Sequence, residues 1–153
     1  MNLNTKRSMA KIGTIFQFTA PIDWSEIRHE NSFVFHGKNQ EELIVSASLI
    51  QGIGKTEELA AVQQHLFQNA EQSMKKAAGH PSLKVIQPFQ RNSSLSKVEC
   101  WTLLAKTYDD DTIFYQVVFR DSSGVLLAAF EAPNAISSNS AFEQFVKSVE
   151  VIS

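Results

Sequence analysis

The chain has 153 residues, a length typical of one domain, and 43% of them are hydrophobic, enough for a core that needs no covalent staples. Its 14 basic and 16 acidic residues give a net charge of −2, which provides no electrostatic attraction to nucleic acid or to an anionic membrane. The single cysteine, Cys100, excludes an intramolecular disulfide.

The sequence contains no segment typical of membrane targeting. Lys6 and Arg7 are not followed by an apolar run of signal-peptide length. No apolar run reaches the roughly 18 residues that a membrane-spanning helix needs. We therefore expect a cytoplasmic protein without a membrane span, and a lone thiol is compatible with a reducing compartment.

Alternating apolar residues in the first third of the chain predict three strands. Residues 1–10 are polar and aperiodic and predict a flexible arm, so we expect a single α/β domain over residues 11–153. Apolar and polar residues alternate over residues 11–18, 32–37 and 42–49. The short polar segment between the last two predicts an antiparallel hairpin.

A long amphipathic helix is predicted after these strands. Thr56 is a suitable N-cap, and Gly79 and Pro81 are typical of helix termination, so we expect the helix over residues 56–78. Its apolar residues recur at spacings of three and four, which places them on one face. They are Leu59, Val62, Leu66, Ala70, Met74 and Ala77.

The second half of the chain predicts four more strands and a short helix. Residues 83–89, 97–108, 112–120 and 125–130 are rich in β-branched and aromatic residues. Short loops rich in Asp, Ser and Gly separate the last three, and such loops allow only antiparallel pairing. The sequence Ser-Ala-Phe-Glu from Ser140 matches a capping box and predicts the start of the short helix.

The strands predicted in the second half are apolar on both faces. A strand of this kind is expected to be covered on both sides, and the two predicted helices can provide that cover. The predicted fold class is therefore α+β: an antiparallel β-sheet sandwiched between a long central helix and a short C-terminal helix, in α/β/α layers.

The order of these elements and one motif carry a resemblance to a known family. Residues 18–24, Phe-Thr-Ala-Pro-Ile-Asp-Trp, are similar to the F-x-x-P-x-x-W motif that follows the opening strand in that family. The chain resembles the PsbP-like superfamily, which includes the Ran-binding Mog proteins and the Eag-type adaptor chaperones of type VI secretion. The resemblance spans most of the chain and implies the same sandwich fold. Because members have photosystem accessory, GTPase-cofactor and chaperone roles, it transfers no functional residue.

Two segments match ligand-binding patterns only in part. Residues 52–56, Gly-Ile-Gly-Lys-Thr, lie between a strand and a helix, where a phosphate-binding loop would lie. The full motif requires an earlier glycine at the position of Leu49, so we interpret the segment as a strand exit and an N-cap. Residues 109–111, Asp-Asp-Asp, offer oxygen ligands to a hard cation, but a hairpin turn explains them better.

The remaining reactive side chains form no catalytic pattern. His29, His36, His65 and His80 lack the spacing of metal ligands. Cys100 falls in a strand predicted to be central and is expected to be a buried, inert thiol. No Gly-x-Ser-x-Gly sequence occurs. We therefore predict no enzymatic activity, no cofactor and no metal.

Trp24 and Phe89 are the candidate partner-contact residues. Both follow closely on prolines near predicted strand ends. Aromatic anchors of this kind provide much of the binding free energy of protein interfaces. The alternative interpretation is that the two rings plug the ends of the core.

These observations favour a non-enzymatic protein-binding domain, a bacterial adaptor, chaperone or accessory factor, with secretion as one setting. Its partner is expected to be another protein of unknown identity, docked on an apolar groove, a sheet surface or an open edge. The oligomeric state is not defined by the sequence.

One alternative is an immunity or inhibitor protein with a charged patch formed by Glu57, Glu58 and residues 109–111. The other is a small-ligand-binding protein or an enzyme with a dispersed site, which requires an apolar pocket between helix and sheet.

Overall fold

The computed structural model describes residues 9–12, 16–50, 56–110, 112–133 and 136–152. Those ranges contain ten strands and two helices. They are β1 (Met9–Ile12), β2 (Phe16–Thr19), β3 (Ser25–Arg28), β4 (Ser32–His36), β5 (Glu42–Leu49), α1 (Thr56–Ala78), β6 (Leu83–Arg91), β7 (Glu99–Thr107), β8 (Ile113–Asp121), β9 (Gly124–Ala132), α2 (Ile136–Ser148) and β10 (Glu150–Val151).

Seven of the strands form one antiparallel sheet in the order β3-β4-β5-β9-β8-β7-β6, here called the large sheet. β1, β2 and β10 form a small separate sheet. The long helix α1 packs on β6, β7, β8 and β9, and the short helix α2 packs on β2. We call the two faces of the large sheet the α1 face and the α2 face. This arrangement confirms the predicted fold class.

The larger core lies on the α2 face and is rich in phenylalanine. The ring of Phe18 on β2 lies 5.5 Å from that of Phe33 on β4 and 5.1 Å from that of Phe145 on α2. Edge-to-face pairs at these distances add to the stabilisation from burial alone. The buried members are Phe16, Phe18, Ala20, Phe33, Phe35, Leu43, Val45, Val98, Cys100, Val117, Phe119, Leu126, Ala128, Phe130, Ala132, Phe142, Phe145, Val146 and Val149.

A smaller core joins α1 to the other face of the large sheet. Ala70 and Met74 are buried as predicted, but Ala77 is exposed and Ala78 is buried in its place. The helix period of 3.6 residues explains the difference, because spacings of three, four and four from Phe67 keep one face on the sheet. The buried members are Phe67, Ala70, Met74, Ala78, Leu103, Ala105, Val118 and Val125.

Three local features differ from the sequence-based expectations. The sequence pattern does not predict β3, because Ile27 is its only apolar residue and alternation needs at least two. β10 has only two residues, too few for any pattern. α2 begins at Ile136 and not at Ser140. A Ser-x-x-Glu sequence also fits one turn inside a helix, so the capping-box match does not define the helix start.

Some predictions fall outside the described residues. Of the predicted arm over residues 1–10, only Met9 and Ala10 are described, and both belong to β1. The division between arm and domain therefore stays a prediction. The Gly-Ile-Gly-Lys part of the segment at 52–56 also lies outside the described residues.

Candidate functional site

The α1 face of the large sheet is only partly covered. Seven strands spaced about 4.8 Å apart span about 29 Å, whereas one helix with its side chains is about 10–12 Å wide. α1 packs on the half formed by β6 to β9. The half formed by β3, β4 and β5 lies beside the helix and not beneath it.

A row of apolar side chains crosses this uncovered half. Ile27 pairs with Val34, Val34 pairs with Ile44, and Ile44 pairs with Ala129 in the antiparallel register. Directly paired residues point to the same face of a sheet, so the four side chains form one continuous strip. Ile27 is 51% exposed and Ile44 is 38% exposed. We call this strip and its flanking residues on the same face the open face.

The open face ends where α1 begins to cover the sheet. Ala129 pairs with Gln116 on β8, and Gln116 is buried. The Gln116 side-chain amide donates a hydrogen bond to the carbonyl oxygen of Met74 in α1, at 3.0 Å. This buried bond fixes the lateral position of α1 on the sheet, because breaking it would leave polar groups unsatisfied. The helix therefore forms a stable wall along one side of the open face.

A groove runs between that wall and β5. Ser46 and Ser48 of β5 face Leu66, Asn69 and Ala70 of α1 across a cavity of about 200 Å³. The floor of the groove is formed by Val125 and Leu127. The small serine side chains leave the cleft open. The groove therefore has an apolar floor and hydroxyl groups along its β5 margin.

Two carboxylates lie together at one end of the open face. Glu42 pairs directly with Glu131 across β5 and β9, on the face that carries Ile44 and Ala129. Like charges in this position repel each other. His36 contacts Glu42, with 3.0 Å between Nε2 and Oε2. Within the described ranges, no lysine or arginine forms an ion pair with either glutamate. The end of the open face is therefore acidic.

Trp24 lies outside the open face. The exposed turn after Pro21 places Asp23 in the left-handed region with a φ of 66°, which a short polar side chain tolerates. The chain then returns so that the Trp24 ring, half-buried, stacks on Phe130 with 6.1 Å between ring centroids. Trp24 thus packs against the core on the α2 face.

Phe89 lies at the opposite edge of the large sheet and on the other face. It sits on the edge strand β6, half-buried, with its ring 6.2 Å from that of Phe67. The Lys75 ammonium group lies 5.4 Å from the centre of the Phe89 ring. The structure therefore does not bring Trp24 and Phe89 together, and their roles as partner contacts stay predictions.

A cluster of charged and aromatic side chains links the β6 edge of the large sheet to α1. Arg120 donates to Glu99 through Nε at 2.9 Å and through Nη2 at 2.7 Å, and Arg91 approaches the same carboxylate at 3.0 Å. The Arg120 guanidinium also lies 4.6 Å from the Trp101 ring centre and 4.8 Å from that of Phe67. The two arginine charges are thus balanced by the Glu99 carboxylate and by the aromatic ring faces. The group therefore has a structural role.

Cys100 is fully buried in the core on the α2 face. Burial raises the pKa of its thiol from 9.0 to about 11, an effect that the Arg91 charge opposes and the Glu99 charge reinforces. A thiol with such a pKa is protonated at neutral pH and is a poor nucleophile. The side chain donates a weak hydrogen bond to the Asn92 carbonyl oxygen, at 3.4 Å.

Cys100 is expected to resist alkylation in the folded protein. Iodoacetamide at pH 8 should add no mass to the native chain over an hour and one adduct in denaturant, as measured by intact-protein mass spectrometry. Because the folded-state pKa is raised, the thiol's contribution to stability is complete below pH 9 and is lost as the pH rises toward 11. Rapid labelling of the native protein would show that the site opens readily.

Of the acidic residues considered for a charged patch, Glu58 lies apart from Asp109 and Asp110, whereas Asp111 and the Glu57 side chain lie outside the described part of the chain. Gln63, near the start of α1, donates a hydrogen bond to the Asp121 carbonyl oxygen at 2.7 Å, which places Glu58 near the β8–β9 turn. Asp109 and Asp110 lie in the β7–β8 turn at the other end of the large sheet. Thr107 and Thr112 donate hydrogen bonds to Asp110 and lower the pKa of its carboxyl group. These contacts are those of a turn.

The described part of the chain offers neither a metal site nor a membrane-spanning helix. Among the described residues, no group of three or more His, Cys, Asp and Glu side chains is arranged to hold a metal ion. No helix in the described ranges is long and apolar enough to cross a membrane.

Comparison with known proteins defines the fold. No protein family and no characterised protein matches the chain in sequence. LpqN, involved in cell envelope biogenesis of Mycobacterium tuberculosis, superposes with a TM-score of 0.60 at 11% identity, over 95% of this chain and 90% of LpqN. Cyanobacterial PsbP (CyanoP) from Synechocystis sp. PCC 6803 superposes with a TM-score of 0.54 at 14% identity, over 89% of this chain and 86% of CyanoP.

A protein from Bacteroides thetaiotaomicron superposes with a TM-score of 0.53 at 13% identity. The match covers 89% of this chain but 44% of that protein, so this chain corresponds to less than half of its length. The likeness to CyanoP and LpqN shows that the chain has a PsbP-like fold. At these identities the likeness shows the fold alone.

Proposed function

We propose that the protein is a non-catalytic protein-binding domain, an adaptor, chaperone or accessory factor, and that its partner docks on the open face. The observation that carries the proposal is the strip formed by Ile27, Val34, Ile44 and Ala129 beside the α1 wall, in which Ile27 and Ile44 are exposed and the other two are half-buried. Contiguous apolar surface on a monomer is typical of an interaction site. We also propose a cytoplasmic location, which suits the free thiol of Cys100.

The two alternatives have less support. A toxin inhibitor needs a concentrated charged patch, and Glu58 lies at the other end of the large sheet from Asp109 and Asp110. A small-ligand site needs an apolar pocket. The two clefts beside α1, of about 310 and 200 Å³, lie at or below the lower end of the roughly 300–1,000 Å³ range of ligand pockets. The cleft of about 470 Å³ near the start of β7 is lined mainly by charged groups. They are Lys97, Glu99, Arg120, Asp121 and Glu150.

The proposal is tested by comparing what three immobilised proteins retain from a lysate of the source organism. The open-face variant carries Ile27→Ser and Ile44→Ser. The control variant carries Val85→Ser and Ile86→Ser, which remove two exposed apolar side chains from the β6 edge. Quantitative mass spectrometry is expected to find a partner retained in near-stoichiometric amount by the unchanged protein and the control variant. The open-face variant should retain less than about one tenth as much, because interface anchors of this size contribute about 1–2 kcal/mol each.

Circular dichroism and thermal unfolding must show that all three proteins are folded. If the open-face variant retains the same partner at the same level, the docking site is wrong. If none of the folded proteins retains a specific partner, the protein-binding function is wrong.

A further inference from the structure

We propose that the outer edge of β3 pairs with β3 of a second copy of this chain, so that two large sheets join edge to edge about a two-fold axis at Ile27. This inference goes beyond the proposed function, because it concerns an edge of the large sheet and not the open face. Three independent observations carry it: the hydrogen bonding of β3, the order of its charges and the direction of the apolar strip.

The outer edge of β3 presents backbone groups that can pair with another strand. The His29 N–H donates a hydrogen bond to the Ser32 carbonyl oxygen at 2.8 Å, so in this antiparallel register the odd-numbered residues of β3 bond to β4. The N–H and C=O groups of Glu26 and Arg28 therefore point away from β4. Within the described ranges, no strand pairs with this side of β3. The edge thus offers two donors and two acceptors to a partner strand.

The opposite edge of the large sheet is less suited to such pairing. β6 contains Pro88, which has no backbone N–H, and its pairing with β7 has two shifts of register. β3 is regular over its four residues, and all four are exposed. Edge-to-edge pairing of two large sheets is therefore expected at β3. A contact of four residues buries little surface, so the dimer should be weak and reversible.

The charges of β3 complement those of a second copy in one register. Glu26 and Arg28 project to the α2 face, because they pair with residues of β4 that lie in the larger core. Among the described residues, neither forms an ion pair. With Ile27 opposite its own copy, Glu26 faces Arg28 of the second copy, and symmetry repeats the pair. A register centred on Glu26 or on Arg28 would instead place like charges opposite each other.

The direction of the apolar strip fits the same register. The strip runs across the strands from Ala129 through Ile44 and Val34 to Ile27 at the edge, where Ile27 is 51% exposed. Ile27 bonds to β4, so it would form a non-hydrogen-bonded pair with its copy, with about 4.5 Å between the Cα atoms. Side chains approach each other most closely in such a pair. The two strips would therefore join into one, and Ile27 would be covered on its free side.

The test exploits the symmetry of the charge pairs. Sedimentation equilibrium is expected to show a reversible dimer with a dissociation constant of about 100 µM, as small interfaces give. Glu26→Arg alone and Arg28→Glu alone should each raise this constant by about tenfold or more, because each places like charges opposite each other twice. An equimolar mixture of the two variants should associate like the unchanged protein, because the mixed dimer restores opposite charges. Lys84→Glu, an exposed charge reversal on β6, is the matched control and should change nothing.

Arg28→Glu also removes the contact of the Arg28 guanidinium with the Phe33 ring, 5.1 Å from its centre, so a second measurement uses the unchanged protein. The N–H groups of Glu26 and Arg28 should exchange with solvent about threefold to fivefold more slowly at about 1 mM protein than at about 10 µM. The His29 N–H, which is bonded within the hairpin, should show no such dependence on concentration. Nuclear magnetic resonance resolves these amides individually.

A protein that stays monomeric up to about 1 mM would overturn the pairing of β3. A dimer that survives both charge reversals, or a mixture of the two folded variants that does not associate, would overturn it as well. A dimer that Lys84→Glu dissociates would place the contact on β6 instead. Because Glu26 and Arg28 lie on the α2 face, these variants leave the open face unchanged, and the proposed function is decided separately by the retention of a partner.

Discussion

Replacing Phe18 with alanine is expected to lower the free energy of unfolding by about 3–5 kcal/mol. Phe18 is fully buried and joins three elements, because its ring contacts Phe33 and Phe35 on β4 and Phe145 on α2. The small sheet and α2 are held on the large sheet through this core. Truncation would remove the ring's contacts and leave a cavity that rigid strands cannot close.

Urea unfolding measured by the fluorescence of Trp24, in a Trp101→Phe background, reports directly on this core. Phe18→Leu is the matched control and should cost roughly 1 kcal/mol, because it keeps most of the volume. Ile22→Ala, at a position that is 45% exposed, should change stability by less than about 0.5 kcal/mol. A loss below about 1.5 kcal/mol for Phe18→Ala would mean that the core collapses to fill the space.

The fold class could be predicted from the sequence because the patterns that indicate its strands and helices are local. The structure buries Phe16 and Phe18, which lie on either side of a polar residue in a strand. It also buries Ala70 and Met74, which are about one helical turn apart. β3 could not be predicted in this way. A strand at the edge of a sheet buries few side chains, so it needs no repeated apolar residue. Its one apolar side chain, Ile27, points to the open face.

The open face could not be identified from the sequence. Ile44 lies in an alternating strand whose other face is buried, and the pattern on its own face is the same whether a helix covers it or not. The outcome depends on where α1 lies across the sheet, which the buried Gln116 helps to fix. That is a contact between residues 42 positions apart. The acidic pair could not be predicted from the sequence either, because Glu42 and Glu131 become neighbours only through the register of β5 and β9.

Replacing Met74 with alanine is expected to lower the free energy of unfolding by about 2–4 kcal/mol, because Met74 is fully buried between α1 and the large sheet and its truncation leaves a cavity there. The backbone carbonyl oxygen that accepts the bond from Gln116 is kept in this variant, so the change acts on the wall of the open face through the cavity that it leaves beneath α1. We therefore expect Met74→Ala to weaken partner retention as well as stability, although Met74 does not line the groove.

The fluorescence of Trp101, in a Trp24→Phe background, reports on this second core, since the Trp101 and Phe67 rings lie 4.5 Å apart. Met74→Leu keeps the volume and should cost less than about 1.5 kcal/mol, and Gln72→Ala, exposed on the same helix, should be neutral within about 0.5 kcal/mol. If Met74→Ala lowers stability as expected but leaves partner retention unchanged, then α1 contributes only to the fold. The binding surface would then be the apolar strip alone.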